Sequence, residues 1–135
     1  MSKEIISTPN GPAAVGPYSQ AVAANGLVFV SGQLGLDPKS GQFAAEDVVG
    51  QAHQVFKNVQ AILEAKGLTL QNVVKTTLFL TDIADFAKVN EVYAEYFQAP
   101  YPARSAFQIC ALPKGGLVEL EVIAVYPQKR NVREC

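Results

Sequence analysis

The sequence predicts an α+β fold, a mixed sheet with two helices on one face. Three observations lead there. Apolar residues recur at helical spacing in two stretches, 47–66 and 86–97. Each stretch lies between runs of β-branched and aromatic residues, so the chain holds two strand–helix–strand crossovers. Such crossovers are right-handed, which puts both helices on the same side of one sheet.

Taken in order, residues 1–16 are rich in small residues and turn formers (Pro9, Asn10, Gly11, Pro12, Gly16), with Ile5 and Ile6 able to add a short edge strand. Pro17 to Val22 reads as the start of a strand that Asn25-Gly26 ends, and an Asn-Gly pair between apolar runs signals a hairpin. Leu27 to Ser31 is its partner, stopping at Gly32, and Asp37 to Gly41 is loop. Asp47 to Lys66 is the stronger helix: Val48, Ala52, Val55, Val59, Ile62 and Lys66 recur at spacings of three and four, Val49, Phe56 and Leu63 widen the stripe, and Gly67 closes it. Val73 to Leu80 is a strand with Val74, Leu78 and Leu80 on one face and Val73 and Phe79 on the other. Phe86 to Phe97 is the second helix, capped by Asp82 or Asp85 and stopped by Pro100 and Pro102. Pro102 to Cys110 and Leu117 to Val125 read as two strands joined by a turn at Pro113, Gly115 and Gly116. Tyr126-Pro127 ends the sheet, and Gln128 to Cys135 is a polar tail.

Two helices cover one face only, yet 73–80 and 118–125 carry large apolar residues on both. A wet second face would exceed the few hundred Å² of apolar patch usual for a monomer, so a homo-oligomer is expected, with a ligand site at the subunit junction.

The totals narrow the function. The 135 residues fit one domain, and 49% hydrophobic residues allow a sizeable core. A net charge of -1 offers no field for nucleic acid, and Arg130 and Arg133 are too few to make a patch. No apolar run reaches membrane-spanning length, and Met1-Ser2-Lys3-Glu4 lacks a secretory signal core, so a cytoplasmic location is expected. Of the two cysteines, Cys110 falls in a strand as a small core residue and Cys135 is the last residue, so no disulfide is expected.

Arg104, Glu119 and Glu121 stand out as charges within apolar strands, where they are costly unless paired. Arg104 either bridges to one of those glutamates or serves as a planar fork for a substrate carboxylate. With Ala111 and Leu117 paired across the turn, Arg104 falls opposite Ala124, facing away from Glu119; a slip of one residue reverses this. Glu119 and Glu121 share one strand face, either as structural carboxylates or as a group that deprotonates a water. Tyr18 and Ser31 are turn residues or ligand-facing hydroxyls, and Gly32 lets a ligand approach the main chain. His53, the lone histidine, has no second ligand for a metal and belongs on the surface or at the core boundary. No Walker A motif, dinucleotide fingerprint or nucleophile elbow is present, so no cofactor is implied.

These residues resemble the Rid (reactive intermediate deaminase), or YjgF, family over nearly the whole chain, residues 1–135 forming one such domain. The matching pieces are Gly16-Pro17-Tyr18-Ser19-Gln20-Ala21, Val30-Ser31-Gly32-Gln33, Val74-Lys75-Thr76-Thr77, Phe86-Ala87-Lys88-Val89-Asn90 and Pro102-Ala103-Arg104-Ser105 through Leu112-Pro113 to Val118-Glu119-Leu120-Glu121. The resemblance implies a chorismate-mutase-like (ferredoxin-like) α+β fold and a homotrimer with clefts between subunits. It implies hydrolysis of 2-aminoacrylate- and 2-iminopropanoate-type enamines and imines to 2-keto acids and ammonia, without a cofactor or metal. Arg104 would hold the substrate carboxylate, Glu119 and Tyr18 would position the attacking water, and Ser31, Gly32 and Asn90 would line the cleft. The segment Gln98 to Tyr101 is shorter than in familiar members and leaves substrate range open, and Cys110 stands where a smaller residue is commoner. Two alternatives remain beside the enzyme: a trimer that binds small carboxylates or partner proteins without turnover, and an RNA-cleaving or translation-inhibiting protein, against which the acidic balance speaks.

Overall fold

The computed structural model describes residues 2–127; the tail 128–135, with Arg130, Arg133 and Cys135, lies outside the described residues, and with it the expectation about a disulfide. Six strands and two helices follow in the order β1 (Glu4–Ile6), β2 (Ala21–Ala24), β3 (Leu27–Leu34), α1 (Val48–Glu64), β4 (Val73–Leu80), α2 (Phe86–Tyr96), β5 (Ala103–Gln108) and β6 (Val118–Val125). One sheet contains all six strands in the spatial order β1-β2-β3-β6-β4-β5. Only β4 and β5 run parallel; every other neighbouring pair is antiparallel.

The β2–β3 hairpin forms as its Asn-Gly pair predicts. Asn25 and Gly26 both have positive φ (52° and 79°), the backbone a two-residue turn of this hand requires. Residues 17–20, expected to open β2, are loop instead, and the strand starts at Ala21. On α1, Asp47 accepts from the Gly50 N–H at 3.1 Å and caps the helix, and Val48, Ala52, Val55, Phe56, Val59, Ile62 and Leu63 are buried as the stripe predicts. Lys66, read as part of that stripe, lies beyond the helix and pairs with Glu4 at 2.6 Å, pinning the edge strand β1.

The expected hairpin between 102–110 and 117–125 does not form. β4 lies between the two strands, with Thr76 beside Arg104 on one flank and beside Val122 on the other. The crossover β3–α1–β4 places β3 and β4 parallel with a gap between them, and β6 fills that gap antiparallel to both. Cys110 is correspondingly not in a strand but exposed just past β5. A register shift between Val73 and Lys75 also changes the expected faces of β4. Val73, Thr76, Leu78 and Leu80 are buried beneath the helices, while Val74 turns to the other face. A bulge puts an extra residue in one strand, which resets the alternation.

The core lies between the sheet and both helices, built from Val28 and Val30 of β3, Leu78 and Leu80 of β4, Val118, Leu120 and Val122 of β6, and the α1 stripe. The other face is uncovered within the chain. Phe29, Val74, Phe107 and Val125 there are 44%, 44%, 51% and 38% exposed, and Phe79 stacks on Phe107 with ring centroids 6.4 Å apart.

Candidate active site

The candidate residues gather in two places rather than one. The first is on the uncovered face, where β3 meets β6. β3 runs on to Leu34, past the expected stop at Gly32, because a register shift between Val30 and Gln33 absorbs Ser31 and Gly32 as a bulge. Gly32 passes directly beneath the Glu119 side chain: a Cβ on Gly32 would stand 2.8 Å from both Cδ and Oε1 of Glu119. The glycine lets the Glu119 carboxyl lie against the main chain here; its own backbone angles do not call for a glycine. Ser31 Oγ donates to the Ser19 carbonyl at 2.6 Å, and Ser31 N donates to the Gln20 carbonyl at 2.9 Å. The Tyr18 loop is thereby tied to the bulge. Tyr18 is 52% exposed, and its hydroxyl accepts from the Val15 N–H at 3.2 Å.

Gln20 sets that loop's shape. Its side chain is buried; Oε1 accepts from Thr8 N at 2.7 Å, and Nε2 donates to the Thr8, Gly11 and Pro12 carbonyls at 3.0, 3.3 and 2.7 Å. The expectation for this segment gave Gln20 no role. A buried amide amid small residues and prolines with few partners of their own is the pattern that marks it.

Burial pushes the Glu119 carboxyl above the ordinary carboxylate range, and the negative charge of Glu121 two residues along raises it further. Both effects follow from alternation: Glu119 and Glu121 share the uncovered face, and Thr77 and Phe79 of β4 stand beside them in register.

The second place is on the helix side, at the β5 edge. Arg104 lies beside Thr76, whose side chain is buried against α2 through a 2.9 Å hydrogen bond between Thr76 Oγ1 and Tyr93 Oη. Arg104 follows that direction. Its Nη1 donates to Asn90 Oδ1 at 2.6 Å, and its Cζ sits 4.7 Å from the Tyr93 ring centroid and 5.2 Å from that of Phe86. Burial raises the Tyr93 phenol above its ordinary value, against smaller opposing pulls from Thr76 and Arg104, so a neutral ring faces the cation. Asn90, Tyr93, Ala94, Tyr101, Pro102 and Arg104 line an open cleft of about 420 Å³. Tyr101 brings the segment 98–101 to that cleft.

Among the described residues no carboxylate pairs with Arg104; the ion pairs present are Lys66–Glu4 and the His53–Glu95 contact. Glu119 points to the other side of the sheet. One chain therefore holds a cationic half-site (Arg104, Asn90) and an acidic one (Glu119 over Gly32), with the loop of Tyr18 joined to the latter only through Ser19 and Ser31, and the two face opposite sides of the sheet. Among the described residues no three His, Cys, Asp or Glu side chains cluster as metal ligands. His53 is at the helix surface, its Nδ1 3.0 Å from Tyr96 Oη.

Comparison with known proteins now adds to this geometry. Residues 8–126 match the model of the family described as endoribonuclease L-PSP, the YjgF/Rid family. The chain belongs to this family. Among its Rid relatives, Reactive Intermediate Deaminase A, chloroplastic, of Arabidopsis thaliana is 55% identical over 124 residues, covering 92% of this chain and 66% of the plant protein. A 2-iminobutanoate/2-iminopropanoate deaminase of Capra hircus is 54% identical over 123 residues, 91% of this chain and 90% of the goat protein. The crystal structure of the Rid protein RidA from the Antarctic bacterium Psychrobacter sp. PAMC 21119 superposes with a TM-score of 0.88 at 50% identity, covering 91% of this chain and 99% of that one. The mixed six-stranded sheet with two helices is thus the architecture of solved Rid structures.

Proposed function

We propose that this protein is a cofactor-independent hydrolase that deaminates reactive 2-imino acids, and the 2-enamines that tautomerise to them, giving 2-keto acids and ammonia. Support comes from Rid relatives named for this activity, and from one observation above all: an arginine fork, unmatched by any carboxylate of the described chain, opens onto a cleft of small-molecule size. A guanidinium so placed suits a planar carboxylate, with donors left over after Asn90 takes one.

The chemistry asks little more of the protein. The imine carbon is already electrophilic, so no covalent nucleophile is required. Arg104 holds the substrate carboxylate. Glu119, assisted by the Tyr18 hydroxyl, takes a proton from water as the oxygen adds to C2. That proton passes to nitrogen, giving a carbinolamine; Glu119 then takes the hydroxyl proton and delivers it to nitrogen as well, so the C–N bond breaks, ammonia leaves and the keto C=O forms. Burial suits Glu119 to this work, since a carboxyl raised toward neutrality accepts and returns a proton more evenly. Ser31 and the Gly32 main chain line the floor, and Asn90 lies beside Arg104.

Because the two half-sites face opposite sides of the sheet, the reading places the reaction between copies, the Arg104 half-site of one closed by the Glu119 half-site of its neighbour. A homotrimer joined through the uncovered apolar face provides such junctions. The test is ammonia and keto-acid release on addition to a serine or threonine dehydratase, which generates these intermediates. Release is expected to accelerate with the intact protein and not with Arg104→Ala; full acceleration by Arg104→Ala would remove the arginine from the mechanism. The family's description raises RNA cleavage as a second reading. RNA decay that survives both repurification and Arg104→Ala would favour it, against a net charge of -1.

A further inference from the structure

The Arg104 guanidinium is held before any ligand arrives. Phe86, Asn90 and Tyr93 fall at i, i+4 and i+7, one stripe of α2. The two rings stand within 5.2 and 4.7 Å of Arg104 Cζ, near enough for their faces to attract the cation, and Asn90 Oδ1 accepts at 2.6 Å from Nη1. The Tyr93 ring is itself fixed. Its hydroxyl bonds Thr76 Oγ1 at 2.9 Å, Phe97 lies tilted against it at 4.5 Å, and Phe56 meets it edge-on at 5.8 Å. An arginine on an exposed edge strand ordinarily samples many rotamers; here three groups of one helix narrow that range. The Asn90 carbonyl oxygen is engaged by the guanidinium at the edge of the cleft that both residues line.

We propose that Asn90 serves the substrate through Arg104 rather than by touching it: with Phe86 and Tyr93 it forms a clamp that presents the remaining guanidinium donors to an incoming carboxylate. Asn90 is then a positioning residue, and α2 is the arm that sets the anchor. The proposal rests on the reading of Arg104 as the carboxylate anchor and adds to it how that anchor is aimed.

A double-mutant cycle tests this with 2-ketobutyrate, the product-like acid, as the probe and NMR titration as the measurement. Asn90 is exposed on a helix, where alanine is well tolerated, so Asn90→Ala keeps the fold. In the otherwise unaltered protein, Asn90→Ala is expected to weaken 2-ketobutyrate about tenfold and to raise KM in the dehydratase-coupled assay with kcat within about twofold. In the Arg104→Ala background it is expected to change nothing further, because no guanidinium remains to orient. Equal losses in both backgrounds would make Asn90 a direct ligand and overturn the clamp alone, as would no loss in the unaltered protein. If Arg104→Ala binds 2-ketobutyrate as tightly as the unaltered protein, the anchor reading fails and the clamp with it.

Discussion

Replacing Gly32 with alanine separates stability from catalysis at the acidic half-site. Gly32 lies outside the left-handed region, so alanine fits its backbone. Loss of chain freedom in the unfolded state then favours the variant by about 0.4–1 kcal/mol where nothing clashes. The added Cβ meets Glu119 Cδ and Oε1 at 2.8 Å, and ordinary contact begins near 3.4 Å, so the carboxyl must retreat by roughly 0.6 Å. The atoms met belong to the end of a flexible side chain, so the retreat costs little folding energy. Catalysis is less forgiving: a misplacement of about 1 Å costs on the order of 10²-fold. We expect Gly32→Ala to melt within a few degrees of the unaltered protein and to lose about 10- to 100-fold in kcat, roughly 1.4–2.7 kcal/mol of barrier. Thermal unfolding and the dehydratase-coupled assay measure the two quantities. A folded variant with full kcat would show that the placement of Glu119 over Gly32 has no part in the reaction.

Other substitutions probe other links. With its carboxyl raised in the folded state, Glu119 binds more protons folded than unfolded, so stability falls as pH rises from the ordinary carboxylate value through the raised one; Glu119→Gln is expected to flatten that slope in urea titrations. The rate should climb over the same window as the base ionises, and Glu121→Gln, by removing a neighbouring negative charge, should move the climb to lower pH in a pH–rate profile. Asn58 is buried and donates to the Leu34 and Leu36 carbonyls at 3.0 and 2.9 Å, holding the chain where it leaves β3. Asn58→Leu strands both carbonyls and should cost about 2–4 kcal/mol in chemical denaturation; a loss below about 0.5 kcal/mol would show that water replaces those bonds. On the uncovered face, Phe79→Arg should dissociate the proposed homotrimer, read as a smaller mass by light scattering with the far-ultraviolet spectrum retained; a monomeric mass for the unaltered protein would refute the trimer itself.

What could be read from sequence follows the range of the interactions involved. The α1 stripe, its start beside Asp47 and the Asn25-Gly26 turn depend on residues a few positions apart, and each forms where local chemistry places it. The strand pair 102–110 and 117–125 carried equally clear local marks, Pro113, Gly115 and Gly116, yet its members are separated by β4. Partner choice between strands is settled by the crossover β3–α1–β4, some forty residues upstream, which leaves the gap that β6 enters. The bulge after Val73 adds a residue without a compositional trace, so Val73 and Val74 exchange their expected faces while Leu78, Leu80 and Phe79 keep theirs. Arg104 was expected to face away from Glu119 and does, but through its register with Thr76, not with Ala124. The candidate residues were visible because charge in an apolar strand is costly. The contacts of Gln20 with main-chain carbonyls and of the Phe86 and Tyr93 rings with Arg104 were not, since folding alone brings those partners near; of the groups around Arg104 only Asn90 was named, and that through the resemblance.

The opposed directions of Arg104 and Glu119 have a genetic consequence. In the proposed arrangement, where each site is shared between two copies, a defect in one and a defect in the other damage different ends of the same junction. Two inert parents, one carrying Arg104→Ala and the other Glu119→Gln, should regain turnover when their subunits are shuffled together, because some junctions in the mixture inherit neither lesion.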